Sequence, residues 1–154
     1  MPEPAAGPGP GADGWRHRDV ETRPSAIAGR GLFAVRDLAG ATVVLRLARA
    51  TVAGGRVDLL GAGFPNHGCD AVLGWADDRA LATMGEVAAG TELVADYAMS
   101  ISEPGWYLRC HCPSYRCRQM VEGGDWQIPQ LQRRYAGWWA PPVRRLIEAG
   151  RAET

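Results

Sequence analysis

The sequence contains no lysine, and all 17 of its basic residues are arginine. They are balanced by 17 acidic residues, so no net charge attracts the chain to nucleic acid or to an anionic membrane, and neither partner is expected. Long apolar runs are also missing, both the run of about 20 residues that spans a bilayer and the shorter one of a signal peptide. We therefore expect a cytoplasmic protein. Exclusive use of arginine, with abundant alanine, glycine and proline, indicates a GC-rich bacterial genome.

Large apolar side chains are scarce in the first fourteen residues, which read MPEPAAGPGPGADG. Such a segment cannot bury enough surface to offset the entropy that ordering costs, so residues 1–14 are predicted to be a disordered tail. The rest is long enough for one domain with a sizeable core. Its short apolar stretches, separated by glycine-containing turns, predict a mostly β domain with short helices.

Cysteine is rare as well, and three of the four cysteines lie in CHCPSYRC, between Cys110 and Cys117. Disulfides are rare in a reducing cytosol, and Cys110 and Cys112 are poorly placed for an unstrained bridge. A structural zinc ion takes four thiolate or imidazole ligands, and the Cys-x-Cys-x4-Cys spacing supplies three of them. The segment therefore predicts a zinc site that lacks one ligand.

Cys69 is the favoured fourth ligand, because it arrives from a distant segment. His67 and His111 are alternatives, although His111 would have to fold back on its own neighbours. The competing interpretation is that Cys69 is a small buried apolar residue and that the other three form an incidental cluster. A site closed by four cysteines has no position for water, so its zinc would be structural and would fix the C-terminal segment to the domain. The predicted ligands are Cys69, Cys110, Cys112 and Cys117.

Four segments, taken in order, resemble the SET-domain protein-lysine methyltransferases of the small bacterial type. They read AGRGLFAVRDLAGATVV (28–44), FPNHGCD (64–70), GEVAAGTELVADYA (85–98) and CHCPSYRC (110–117). In that family a GRG, an NHxC and a GxELxxDY segment come in this order, followed by a Cys-x-Cys-x4-Cys zinc tail called post-SET. The resemblance extends over residues 20–121.

The resemblance implies a SET-domain fold over residues 15–107, with small curved β-sheets and a knot-like C-terminal segment. A post-SET zinc segment would follow over residues 108–122. Residues 123–154 would form an aromatic extension, in which Pro141 and Pro142 open a short helix that ends at Gly150.

The resemblance also implies a binding site for S-adenosylmethionine. The cofactor would contact backbone groups of the GRG segment, and the NH pair would contact its adenine and amino-acid parts. The residues concerned are Gly29, Arg30, Gly31, Leu32, Asn66 and His67. Tyr97 would be the catalytic tyrosine, with its hydroxyl beside the sulfonium methyl group and the attacking amine. Independently, Trp126 is a candidate for stacking on adenine, since aromatic rings of the extension offer flat apolar faces.

The implied reaction is methyl transfer from S-adenosylmethionine to the side-chain amine of lysine in a protein substrate. Some positions depart from the family pattern. Only 34 residues separate Gly31 from Asn66, which leaves no room for a long aromatic-bearing insert. Ala95 replaces an aromatic residue of the lysine channel, and Gly68 replaces a serine, which predicts a looser turn. The alternative is therefore a catalytically degenerate SET fold that acts as a zinc-stapled interaction module.

Overall fold

The computed structural model describes residues 14–47, 52–53, 56–57 and 65–152. The predicted disordered tail, apart from its last residue, lies outside these ranges. So does most of the second half of the segment that joins Gly31 to Asn66.

Short β-strands dominate the described part of the chain. The strands are β1 (Trp15–Arg16), β2 (Val20–Pro24), β3 (Arg30–Ala34), β4 (Val43–Arg46), β5 (Val52–Ala53), β6 (Arg56–Val57), β7 (Leu73–Trp75), β8 (Ala80–Thr83), β9 (Tyr107–Arg109) and β10 (Met120–Glu122). Two short 3₁₀ turns span Tyr97–Met99 and Asp125–Gln127, and two α-helices follow, α1 (Pro129–Arg134) and α2 (Pro141–Ala152). The predicted mostly β class with short helices is confirmed.

The largest sheet has four antiparallel strands in the order β1-β4-β8-β7. All four residues of β8 are buried, which fits its short and mostly apolar sequence, ALAT. Leu45, Leu73 and Leu81 project from this sheet into the main core with almost no exposure. The sheet is therefore the scaffold on which the loops of the site are placed.

The GRG segment contains part of the turn of the β2–β3 hairpin and the first residues of β3. Gly29 adopts a φ of +45°, a left-handed conformation that glycine reaches without a steric cost. The turn is closed by a hydrogen bond from the Ser25 backbone N–H to the Gly29 carbonyl, at 2.8 Å. Arg30 and Gly31 thus enter β3 with their backbone in a fixed position.

The segment that carries the Asp96-Tyr97 pair runs between the segment of His67 and the segment of Leu73. Ala95 forms parallel bridges with both His67 and Leu73. Its N–H donates to the carbonyl of Asn66, and its own carbonyl accepts from the N–H of Gly68, both at 3.1 Å. This pairing brings the NH pair and Tyr97 together.

The C-terminal extension packs on the main core. Val143 and Ile147 of α2 are buried there, one helical turn apart, while Leu146 remains exposed. The helix begins at Pro141, where proline's fixed φ suits the first turn. It continues through Gly150 to Ala152, so the predicted end is two residues early. Glycine in a helix interior lowers stability without ending the helix.

Gly74→Ala is expected to destabilise the fold by about 1–3 kcal/mol, the usual cost of overpacking. The new Cβ would lie only 2.6 Å from the Cβ of Trp138 in the extension. The contact cannot simply widen, because the Trp75 N–H donates to the Trp138 carbonyl at 2.9 Å. Denaturant unfolding measures the effect. Gly85→Ala is the matched control, since no atom lies within 4 Å of its new Cβ, and an equal loss in both variants would contradict the packing argument.

No helix among the described residues is both long enough and apolar enough to cross a membrane.

Candidate functional site

The four cysteines of the chain form one cluster. The sulfur atoms of Cys69, Cys110, Cys112 and Cys117 all lie within 4.8 Å of one another. The sulfurs of Cys69 and Cys110 are 3.8 Å apart. A zinc ion with four Zn–S bonds of about 2.3 Å in a tetrahedron needs sulfurs about 3.8 Å apart, so the cluster fits this ion.

The backbone around the cluster is arranged to stabilise thiolates. Every sulfur accepts a backbone N–H hydrogen bond of 3.3–3.5 Å: Cys69 from Arg118, Cys110 from Cys112, Cys112 from Cys69 and Cys117 from Gln119. Burial raises the pKa of Cys69 to about 11 and that of Cys110 well above its usual range. Without a cation these two thiols therefore keep their protons at neutral pH. A bound zinc ion would displace those protons and bind the thiolates.

His67 connects the cysteine cluster to Tyr97. Its side chain is almost completely buried, and burial lowers its pKa to about 4, so the ring is neutral at pH 7. Nδ1 accepts the backbone N–H of Tyr97 at 3.0 Å, which leaves the ring proton on Nε2, 3.3 Å from the sulfur of Cys69. Both ring nitrogens are thus engaged inside the protein. A cofactor contact at His67 would come from its backbone.

The Tyr97 hydroxyl donates to the carbonyl oxygen of Pro65 at 2.7 Å. Burial raises the pKa of Tyr97 to about 12, so the hydroxyl keeps its proton at neutral pH. The ring makes edge contacts with His67, at 5.3 Å between centroids, and it lies tilted against Trp106 at 6.4 Å. The hydroxyl therefore has a fixed direction.

Asn66 joins the NH pair to the GRG segment. Its Nδ2 atom lies 3.0 and 3.2 Å from the carbonyl oxygens of Ala28 and Arg30, and 3.0 Å from Oε2 of Glu92. A Cβ at Gly31 would collide with the Glu92 carboxylate, so a larger residue there would displace this side chain from Asn66. Glu92 was not predicted, although a single charge inside the mostly apolar stretch GTELVA indicates a polar partner.

A cavity of about 430 Å³ opens beside these groups. Its wall includes Ile27, Gly68, Glu92, Val94, His111 and Ser114, from four separate segments of the chain. This volume lies within the range of small-molecule sites, and the mostly apolar lining with a few polar groups is typical of them. Through Glu92 the cavity adjoins Gly31 and Asn66, two of the predicted cofactor residues.

Other predicted positions lie away from this cavity. Leu32 is buried in the main core. Trp126 is half-buried and packs against the same core, so the structure does not bring its ring to the cavity. The turn at Gly68 is not loose, because a Cβ there would lie 2.6 Å from a methyl carbon of Val94. Ala95 is 2% exposed and belongs to the main core.

A buried ion pair adjoins Tyr97 and was not predicted. Asp96 is fully buried and accepts two hydrogen bonds of 2.9 Å from the guanidinium of Arg118. Burial alone would raise the pKa of Asp96, but the hydrogen bonds and charge of Arg118 outweigh it and lower the pKa below its usual value. Asp96 is therefore ionised at neutral pH. The available signal was an acidic residue within the apolar run LVADY, which requires a buried partner.

No protein-family model matches the sequence, and a search of curated proteins finds no significant match. Among solved structures, the chain is similar to KRYPTONITE, a SET-domain protein whose crystal structure holds mCHG DNA and SAH. The TM-score is 0.52 and the sequence identity 18%, and the match covers 68% of this chain and 29% of the other. A likeness at this identity concerns the fold. The chain therefore has the SET-domain fold, with its four cysteines gathered into a potential zinc site of the post-SET kind.

Proposed function

We propose that this protein transfers a methyl group from S-adenosylmethionine to the side-chain amine of lysine in a protein substrate. The observation that carries the proposal is that the GRG and DY motifs both meet the dipeptide Pro65-Asn66 of the NH motif. The Pro65 carbonyl holds the Tyr97 hydroxyl, while the Asn66 amide holds the backbone of the GRG turn. The SAH bound to KRYPTONITE, which is S-adenosylmethionine without its methyl group, supports the choice of cofactor.

The residues present are suited to this cofactor. The backbone around Arg30 and Gly31 and the amide of Asn66 would hold its polar groups, and the cavity beside Glu92 would receive part of it. When bound, S-adenosylmethionine supplies a methyl group that its sulfonium already activates. The protein therefore has mainly to align an amine with that methyl group and to exclude water.

Tyr97 is the proposed catalytic residue. Its hydroxyl stays protonated and points in a fixed direction, so it can orient the neutral amine of a lysine. Free lysine has a pKa of about 10.4, so the substrate must lose a proton before it attacks. Apolar surroundings favour the neutral amine. The zinc ion, held by the four cysteines, would be structural and would keep β9 and β10 beside Tyr97.

The test is incubation of the zinc-loaded protein with methyl-labelled S-adenosylmethionine and a lysate of its host. We expect label on lysine residues of one or a few proteins. Because the chain itself has no lysine, label on a lysine cannot come from automethylation. Calorimetric titration with the cofactor tests the alternative, a catalytically degenerate SET fold. A folded, zinc-loaded protein that binds no cofactor and transfers no label would be such an interaction module.

A further inference from the structure

We propose that Asp96, Arg118 and Tyr135 form a buried clamp that positions Tyr97, so that the C-terminal extension takes part in catalysis. The inference rests on the proposed methyl transfer and adds to it two positioning residues outside the SET motifs. It assigns a role to the extension, whose helices otherwise only cover one side of the core.

Asp96 is the centre of the clamp. Both of its carboxylate oxygens are used: Oδ1 accepts from the Ala98 N–H at 3.0 Å and from Arg118 at 2.9 Å. Oδ2 accepts from Arg118 at 2.9 Å and from the Tyr135 hydroxyl at 3.0 Å. The bond to Ala98 caps the 3₁₀ turn that begins at Tyr97. The orientation of this carboxylate therefore sets the backbone of the catalytic tyrosine.

Arg118 links the carboxylate to the cysteine cluster. Its guanidinium donates to Asp96 in a bidentate arrangement, and its Nε donates to Asp125 at 2.9 Å. Its backbone N–H donates to the sulfur of Cys69 at 3.3 Å. One residue thus connects the potential zinc site, the residue before Tyr97 and the 3₁₀ turn that opens the extension.

Tyr135 supplies the contact from the extension. It follows α1 directly, and only 1% of its surface is exposed. Its hydroxyl lies 3.0 Å from Asp96 and 3.2 Å from the carbonyl oxygen of Cys69. The ring packs edge-on against Trp139 at 6.2 Å. The hydroxyl is therefore held in place by the fold of the extension itself.

A buried network of this kind holds its members in one arrangement, because an unpaired charge away from water is costly. Loss of the Tyr135 bond leaves Oδ2 of Asp96 held by Arg118 alone, so the carboxylate gains freedom to rotate and constrains the 3₁₀ turn less tightly. The rate of a transfer that depends on alignment falls steeply with small displacements of the aligned groups. A defect in the clamp should therefore lower the rate of the chemical step more than it lowers binding.

Tyr135→Phe tests the clamp, because it removes the hydroxyl and keeps the ring that packs on Trp139. We expect kcat to fall about tenfold, as for loss of a hydrogen bond to a charged group. The KM for S-adenosylmethionine, the KM for the protein substrate and the content of one zinc per chain should be unchanged. Tyr107→Phe, at a position 68% exposed, is the matched control and should keep full activity. If Tyr135→Phe lowers only the melting temperature and keeps kcat, its role is merely structural and the proposal is wrong.

Hydrogen exchange gives a readout that needs no methyl transfer. The amides of Ala98 and Met99 should exchange about tenfold faster in Tyr135→Phe, and at the wild-type rate in Tyr107→Phe. Equal protection in all three proteins would overturn the clamp. If the wild-type protein transfers no methyl group, the proposed function fails, while this measurement still decides the clamp. Should Tyr135→Phe not fold, Asp125→Asn weakens the same network through Arg118 and carries the same expectations.

Discussion

Tyr97→Phe should lower kcat by about 100-fold or more while the affinity for S-adenosylmethionine stays nearly unchanged. The hydroxyl is the group that would face the amine and the transferred methyl group, and phenylalanine removes it while the ring remains. The ring contacts with His67 and Trp106 hold the side chain in the same place, so the fold should tolerate the change. Steady-state kinetics and calorimetric titration of the cofactor measure the two quantities separately.

The loss of the hydroxyl leaves one acceptor without its donor, the carbonyl of Pro65. An unsatisfied carbonyl costs about 1–3 kcal/mol of stability, so the kinetics must be measured well below the melting temperature of the variant. Tyr115→Phe is the matched control, since Tyr115 is 87% exposed. Retention of wild-type kcat by folded Tyr97→Phe would exclude Tyr97 as the catalytic residue.

The cysteine cluster could be predicted because its signal lies in residue type and spacing. Only four cysteines occur, and the three in CHCPSYRC lack one partner, so the distant Cys69 was the natural fourth member. The structure gathers the same four sulfurs. Likewise, the glycines of GRG predict a tight turn, and Gly29 adopts the left-handed conformation that such a turn uses.

The network around Asp96 could not be predicted in the same way. Its members are 22 and 39 residues apart from Asp96 in sequence, and no periodicity relates them. Sequence shows that an acidic residue in an apolar run needs a partner, but 17 arginines are available to pair with it. Only the pairing of Ala95 with two distant segments and the folding of the loop that carries Cys110, Cys112 and Cys117 bring Arg118 to this carboxylate.

The misjudged turn at Gly68 has the same origin. Glycine in place of serine predicts a looser backbone when only local freedom is considered. In the folded protein, the side chain of Val94 occupies the space that a Cβ would need. Glycine is therefore required by packing from a segment 26 positions away in the sequence, which local reasoning does not include.

Cys69→Ser should lower zinc content well below one ion per chain and reduce the free energy of unfolding by about 4 kcal/mol or more. A serine hydroxyl is a poor zinc ligand at neutral pH, and a metal held by residues from two distant segments contributes its binding energy to folding. Elemental analysis and thermal unfolding measure both effects. Methyl transfer should fall with the zinc content, because the same loop carries Arg118 to Asp96.

His111→Ala is the control that separates Cys69 from His111 as the fourth ligand. His111 is exposed and lies outside the sulfur cluster, so this variant should keep one zinc per chain. Removal of zinc from the wild-type protein by a chelator should reproduce the stability loss of Cys69→Ser, since both leave buried thiols without a cation. A Cys69→Ser protein with full zinc, together with a zinc-free His111→Ala protein, would instead make His111 the fourth ligand. Cys69 would then be only a buried neighbour of the metal. The hydrogen bond from the Arg118 N–H to its sulfur would no longer connect the metal to Asp96 and Tyr97.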